Sequence, residues 1–193
     1  MPMRIQTMAV MAAVALAACS STPAVKPEAP VTAAPAQVGT LMQAEAALAP
    51  ASASIVSGRL VLVSQPGGVR ITGTLGGLRP HQQAGFHVHE RGDCSAVDGS
   101  SAGAHFNPTG SHHGRHGQPP HHLGDIDNLQ ADAAGRVAVD TYLSGVVLGG
   151  GALNDVLGRA LIVHSQADDY RSQPAGNAGA RVACGVIRQA RQS

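Results

Sequence analysis

The chain has 193 residues, of which 13 % are charged and 2 % aromatic, with a formal net charge of +1 and no Trp. That length holds one ordinary domain plus appendages. The near-neutral charge and scarcity of stacking rings argue against a nucleic-acid partner, which would call for a basic stripe and aromatic platforms. The core has to come from Val, Leu, Ile and Ala, and the compositional outlier is histidine, at 10 residues.

In chain order, residues 1–18 carry an early positive charge at Arg4 and an apolar run from Met8 to Ala18. The run is too short to span a bilayer and reads as a secretory signal peptide. It ends in Leu16-Ala17-Ala18-Cys19, which resembles a bacterial lipobox. The resemblance implies cleavage before Cys19 and lipidation of that cysteine. Ser20 in the next position favours the outer membrane. Residues 19–38 hold Pro23, Pro27, Pro30 and Pro35 among small residues and read as a semi-extended tether. An exported lipoprotein facing the periplasm or the cell surface is the expectation.

Residues 39–193 are expected to form the folded domain. Short apolar or alternating runs predict strands at 40–48, 57–64, 69–75, 84–89, 125–131, 136–143, 160–164 and 181–187. Gly-rich turns separate them, as in Gln65-Pro66-Gly67-Gly68. No long amphipathic pattern is present, so the expected class is all-β: an antiparallel sandwich or barrel of about eight strands. The stretch 90–124 has no period and no core content. A loop that long inside a compact domain is functional or wrongly assigned, and a metal could order it.

The sequence pivots on Gly85-Phe86-His87-Val88-His89. Strand alternation sends Phe86 and Val88 to one face and His87 and His89 to the other. Eight of the histidines lie between His87 and His122, leaving only His81 and His164 outside. His105, His113, His122 and Asp125 follow one another at intervals of eight, nine and three. Three imidazoles and a carboxylate suit a closed tetrahedral zinc site. His87 and His89 need further nitrogen ligands, which His164 at a strand end can help supply, and an all-imidazole set suits Cu(II). His112 and His116 compete with His113 for the zinc set, and His121 competes with His122. The spacing to Asp125 favours His122. His81, His112, His116 and His121 otherwise read as solvated loop histidines.

The chain is similar to bacterial Cu,Zn superoxide dismutases. The motifs that carry the similarity are Gly85-Phe86-His87-Val88-His89, Ala104-His105-Phe106-Asn107-Pro108, His122-Leu123-Gly124-Asp125, Leu161-Ile162-Val163-His164 and the run from Gly176 to Ile187. They appear in the family's order and span nearly the whole domain from about residue 40 onward. The resemblance implies a Greek-key barrel with long metal-binding and electrostatic loops. It implies one copper per subunit on His87, His89, His105 and His164, and one zinc on His105, His113, His122 and Asp125, with His105 shared. It also implies a carboxylate at Asp168 joining a copper-side and a zinc-side histidine, a Cys94–Cys184 disulfide, and Arg181 beside the copper. The substrate would be superoxide, and a homodimer is among the assemblies the family uses.

Cysteine arithmetic agrees. With Cys19 acylated, Cys94 and Cys184 are the two that remain to pair in an oxidising compartment. Arg171 could add local positive potential. The stretch 168–181 is shorter than the electrostatic loops of many eukaryotic members. Two competing readings use the same ligands: a non-catalytic copper/zinc-binding lipoprotein, and a β-sandwich stabilised by zinc alone. The latter has no use for His164 or Arg181.

Overall fold

The computed structural model describes residues 39–190. The expected signal peptide, Cys19 and the expected tether lie outside the described residues. Nine strands run in chain order: β1 (Gln43–Pro50), β2 (Ser57–Gln65), β3 (Gly68–Gly76), β4 (Gln83–His89), β5 (Asp125–Gln130), β6 (Val137–Ser144), β7 (Ala160–His164), β8 (Arg181–Val186) and β9 (Arg188–Gln189). A single 3-10 turn at Ser100–Ala102 is the only helical element among the described residues. The expected strands are all present, with no end moved by more than three residues. The predicted last strand, 181–187, is divided: β8 stops at Val186 and the two-residue β9 pairs with β1.

Strand order is β5-β4-β7-β8-β1-β2-β3-β6, with every pairing antiparallel. The chain meanders through β1, β2 and β3. It then crosses to β4 and later returns to place β6 beside β3. These two crossovers make the barrel a nearly closed Greek key, and closure leaves little free strand edge. The β2–β3 hairpin has the two-residue loop Pro66-Gly67, with φ +79° at Gly67. Pro followed by a positive-φ Gly is the requirement of a type II turn. The Tyr142 hydroxyl on β6 donates to Pro66 O at 2.7 Å and ties this turn down.

Alternation builds the core. Leu60, Leu62, Ile71 and Leu75 project inward from β2 and β3 and are fully buried. Phe86 is fully buried, and Val88, Ile126, Leu161, Val163 and Ile187 extend the same cluster.

Strand β4 is enclosed on both sides. Its face carrying His87 and His89 is as buried as the apolar one, with His87 0 % and His89 1 % exposed. The reason is the stretch after β4, which folds back over that face. His89 forms an isolated antiparallel bridge with His105, and Phe106 N–H donates to Val88 O at 2.8 Å. Both faces of β4 are therefore interior. One is apolar and the other is a polar chamber.

Candidate metal centre

Strand register assembles the centre. On β4, His87 lies across from Asp125 on β5 and from Ile162 on β7. Strand β7 ends at His164, whose partner across a bulge in β8 is Arg181. The folded-back loop adds His105, and His113 and His122 follow from the same loop.

Two groups of potential ligand atoms converge, each within 4.8 Å of one another: His87, His89, His105 and His164, and His105, His113, His122 and Asp125. All seven residues are buried, and His105 belongs to both groups.

In the first group each ring has one nitrogen held from outside. His87 Nε2–H donates to Asp168 Oδ2 at 2.7 Å, and His89 Nδ1–H to Gly103 O at 2.9 Å. His164 Nδ1–H donates to Gly179 O at 3.2 Å, and His105 Nδ1 lies 2.9 Å from Asp125 Oδ1. The opposite nitrogens are His87 Nδ1, His89 Nε2, His105 Nε2 and His164 Nε2. Each is buried and has no hydrogen-bond partner. A buried polar atom without a partner costs about 1–3 kcal/mol, so the fold would not concentrate these four without a use for them. A shared cation satisfies all of them, and the outside acceptors fix the tautomers that aim lone pairs inward.

The second group is tighter. His105, His113 and His122 place Nδ1 at 2.9, 3.1 and 3.2 Å from Asp125 Oδ1. His122 Nδ1 lies 3.4 Å from His105 Nδ1. Zinc–nitrogen bonds of about 2.0–2.1 Å imply tetrahedron edges of about 3.3 Å, so these atoms already trace a zinc-sized polyhedron. The second oxygen, Asp125 Oδ2, accepts main-chain N–H from His122 at 2.8 Å and Gly114 at 3.1 Å.

The electrostatics follow from burial and these contacts. Desolvation pushes His105 down to about 4 and His164 down to about 3, and it lowers His89 strongly as well. Neutral imidazole is the metal-binding form. Burial also pulls His113 down, but Asp125 and Asp168 outweigh it and raise the group to about 9. Burial lifts Asp125, and its His105, His113 and His122 partners more than reverse this, holding it well below the usual carboxylate range. Asp168 is depressed against its own burial by His113 and His87. Both carboxylates stay ionised at any physiological pH and favour a cation between the rings.

Asp168 joins the two groups. Its Oδ2 accepts from His87 and its Oδ1 from His113 Nε2–H at 2.9 Å. Its own position is fixed by residues that sequence reading passed over. The Asn128 side chain accepts Asp168 N–H at 2.8 Å and donates to Asp168 O at 2.9 Å. Tyr170 N–H donates to Asp168 Oδ1 at 2.7 Å, and the Tyr170 hydroxyl accepts Asn128 N–H at 2.8 Å. Gly176 has φ +63°, and a Cβ there would collide with the Asp168 carboxylate and the His113 ring. Gln173 clamps the main chain of His113 on both sides, at 2.8 and 2.9 Å.

Half-buried Arg181 donates to Gly99 O at 2.7 Å and to Gly103 O at 2.6 Å. Gly103 O is also the acceptor that orients His89. The guanidinium is thus fastened to the loop that the Cys94–Cys184 disulfide ties to β8. Arg171, His81 and His112 are exposed, and His116 and His121 are half-buried. None of these five is in either group. Burial thereby selects His113 over His112 and His116, and His122 over His121.

Known proteins resemble this chain. Residues 56–187 match the family model described as copper/zinc superoxide dismutase (SODC). "Superoxide dismutase [Cu-Zn] 2" of Aquifex aeolicus is 43 % identical over 136 residues, covering 69 % of this chain and 80 % of the relative. "Superoxide dismutase-like protein YojM" of Bacillus subtilis is 42 % identical over 113 residues, covering 57 % of this chain and 58 % of the relative. Among solved structures, a SOD-like protein from Bacillus subtilis superposes with a TM-score of 0.67 at 38 % identity, covering 73 % of this chain and 95 % of that one. The histidine groups able to hold metal ions agree with the copper and zinc for which the family is named. On this match and these identities, the chain belongs to the copper/zinc superoxide dismutase family.

Proposed function

We propose that the protein is an exported superoxide dismutase with one copper on His87, His89, His105 and His164 and one zinc on His105, His113, His122 and Asp125. The observation that carries this reading is the set of four buried, unpartnered imidazole nitrogens converging on one point, with His105 also serving the tetrahedral group. When bound there, copper supplies one-electron cycling between Cu(II) and Cu(I), by which two superoxide anions and two protons give O₂ and hydrogen peroxide. Zinc has no redox chemistry and is suited to holding structure.

The chain's own groups do the rest. Arg181 is cationic at any working pH and binds the small anion. Its two bonds to carbonyl oxygens keep it from swinging away. With a formal net charge of only +1, attraction of the anion falls to such local charge. Whenever copper does not occupy it, His105 Nε2 is where the chain would hold a proton next to the anion, with Nδ1 of the same ring placed in the zinc group beside Asp125. Asp168 keeps His87 and His113 in register, so that the two groups behave as one rigid unit.

The full chain loaded with one copper and one zinc should remove superoxide catalytically. Negligible removal with both metals bound would support the second reading, a non-catalytic copper/zinc-binding protein. The match to a relative named only dismutase-like favours keeping that reading in view.

We further infer export and anchoring. Residues 1–18 would be the signal peptide, Cys19 the lipidated residue and 19–38 the tether, which would place the domain on a membrane facing the periplasm or cell surface. The support is Arg4, the apolar run and Leu16-Ala17-Ala18-Cys19. No helix among the described residues is long and apolar enough to cross a membrane. A Cys19→Ala protein should move from the membrane to the soluble fraction, and its retention in the membrane would place the anchor elsewhere.

A further inference from the structure

Two histidines of the loop between His113 and His122 belong to neither metal group, yet they face each other. The His116 and His121 rings lie 5.4 Å apart, centroid to centroid, at an interplanar angle of 66°. Within the zinc group the His105–His122 and His113–His122 centroids are each 5.5 Å apart. The outer pair thus has the spacing of rings that converge on a common ion.

Each ring also keeps a nitrogen without a good hydrogen bond. His121 Nδ1–H donates to His122 O at 2.7 Å, leaving Nε2 as the lone-pair nitrogen. His116 Nδ1 is buried with no hydrogen-bond partner of good geometry, Nε2 lies 3.5 Å from Ser144 Oγ, beyond a good hydrogen bond, and the main chain of Tyr142 and Asp125 also approaches the ring. Both side chains are half-buried, and Gly117, Gln118, Pro119 and Pro120 between them are exposed, so an ion and its waters have a route in. The cation next to His116 in sequence is drawn aside: Arg115 Nε bonds Asp127 Oδ1 at 3.1 Å, and its guanidinium lies over the Tyr170 ring at 5.3 Å.

We propose that His116 and His121 form a third metal site, outside the two shared-histidine groups, which takes a Cu(II) ion completed by water. Imidazole suits divalent late transition metals, and among these an N-ligand site binds Cu(II) most tightly. With two protein ligands the site is weaker and more exchangeable than the four-ligand groups. It uses no residue assigned to dismutation and stands or falls apart from that reading.

The test starts from the full chain carrying one copper and one zinc. Cu(II) is titrated against a competing chelator, with copper and zinc content measured at each point and the added ion followed by electron paramagnetic resonance. The expected result is one additional copper, with zinc retained and a spectrum of fewer nitrogen ligands than the resident copper. The paired variant His116→Gln/His121→Gln should lose that additional copper, at least tenfold in affinity, while keeping the resident copper and zinc that report an intact fold. His112→Gln should bind it unchanged. The proposal is overturned if the native chain takes no additional copper, if the added copper displaces zinc, if the paired variant still binds it, or if His112→Gln loses it.

Discussion

A His164→Ala protein should lose superoxide removal and its copper while retaining one zinc per chain. His164 supplies one of the four converging nitrogens, and Gly179 O holds its outer nitrogen so that Nε2 points inward. Losing merely the outer partner of a metal ligand typically costs about 10–100-fold in affinity or activity. Loss of the ligand itself should exceed that. Zinc should stay because His164 is not in the tetrahedral group, whose atoms come from β5 and the preceding loop. The fold should survive as well. Leu161, Ile162 and Val163 keep β7 fully buried, and the change lies at the strand's last residue. Metal analysis of the purified variant decides the matter. Joint loss of zinc and copper would show that the groups do not separate as assigned, and retained activity would remove His164 from the copper set.

The second large effect is on stability. Replacing both Cys94 and Cys184 by alanine should destabilise the domain by about 4–5 kcal/mol, the chain-entropy value for a loop of this size. The bridge spans 90 residues of sequence, with its Cα atoms 5.7 Å apart. For a domain of this length that corresponds to a fall in melting temperature on the order of 10 °C. The function should suffer too. The tied loop contains Gly99 and Gly103, whose carbonyls hold Arg181, and Gly103 also orients His89. Thermal unfolding with and without reductant tests this. A shift of only a degree or two would mean that the small cluster of Ala102, Ala160 and Ile162 around Cys184 carries the loop unaided.

Much of the centre was legible because metal ligands have strong chemical identity and regular spacing. His122-Leu123-Gly124-Asp125 reads directly, and strand-end His164 is where an incoming loop can meet it. Strand alternation tells which residues share a face but not what that face meets: His87 and His89 are covered by residues far along the chain. The carbonyls of Gly103 and Gly179 carry no signal in sequence at all, since every residue has one. Asn128 and Gln173 act through pairs of main-chain hydrogen bonds to distant residues, and nothing local marks them. The two-residue β9 is too short for any periodicity. Choosing His113 over His112 and His116 required the loop's path, which Gln173 and Gly176 shape.

The most direct test of the account is the location of each metal in the reconstituted protein, by anomalous diffraction at the copper and zinc edges. With one copper and one zinc loaded per chain, copper should appear among His87, His89, His105 and His164, and zinc among His105, His113, His122 and Asp125, with the His105 ring between the two ions. Zinc in the four-imidazole group, or a single ion with His105 bound on one side only, would contradict it.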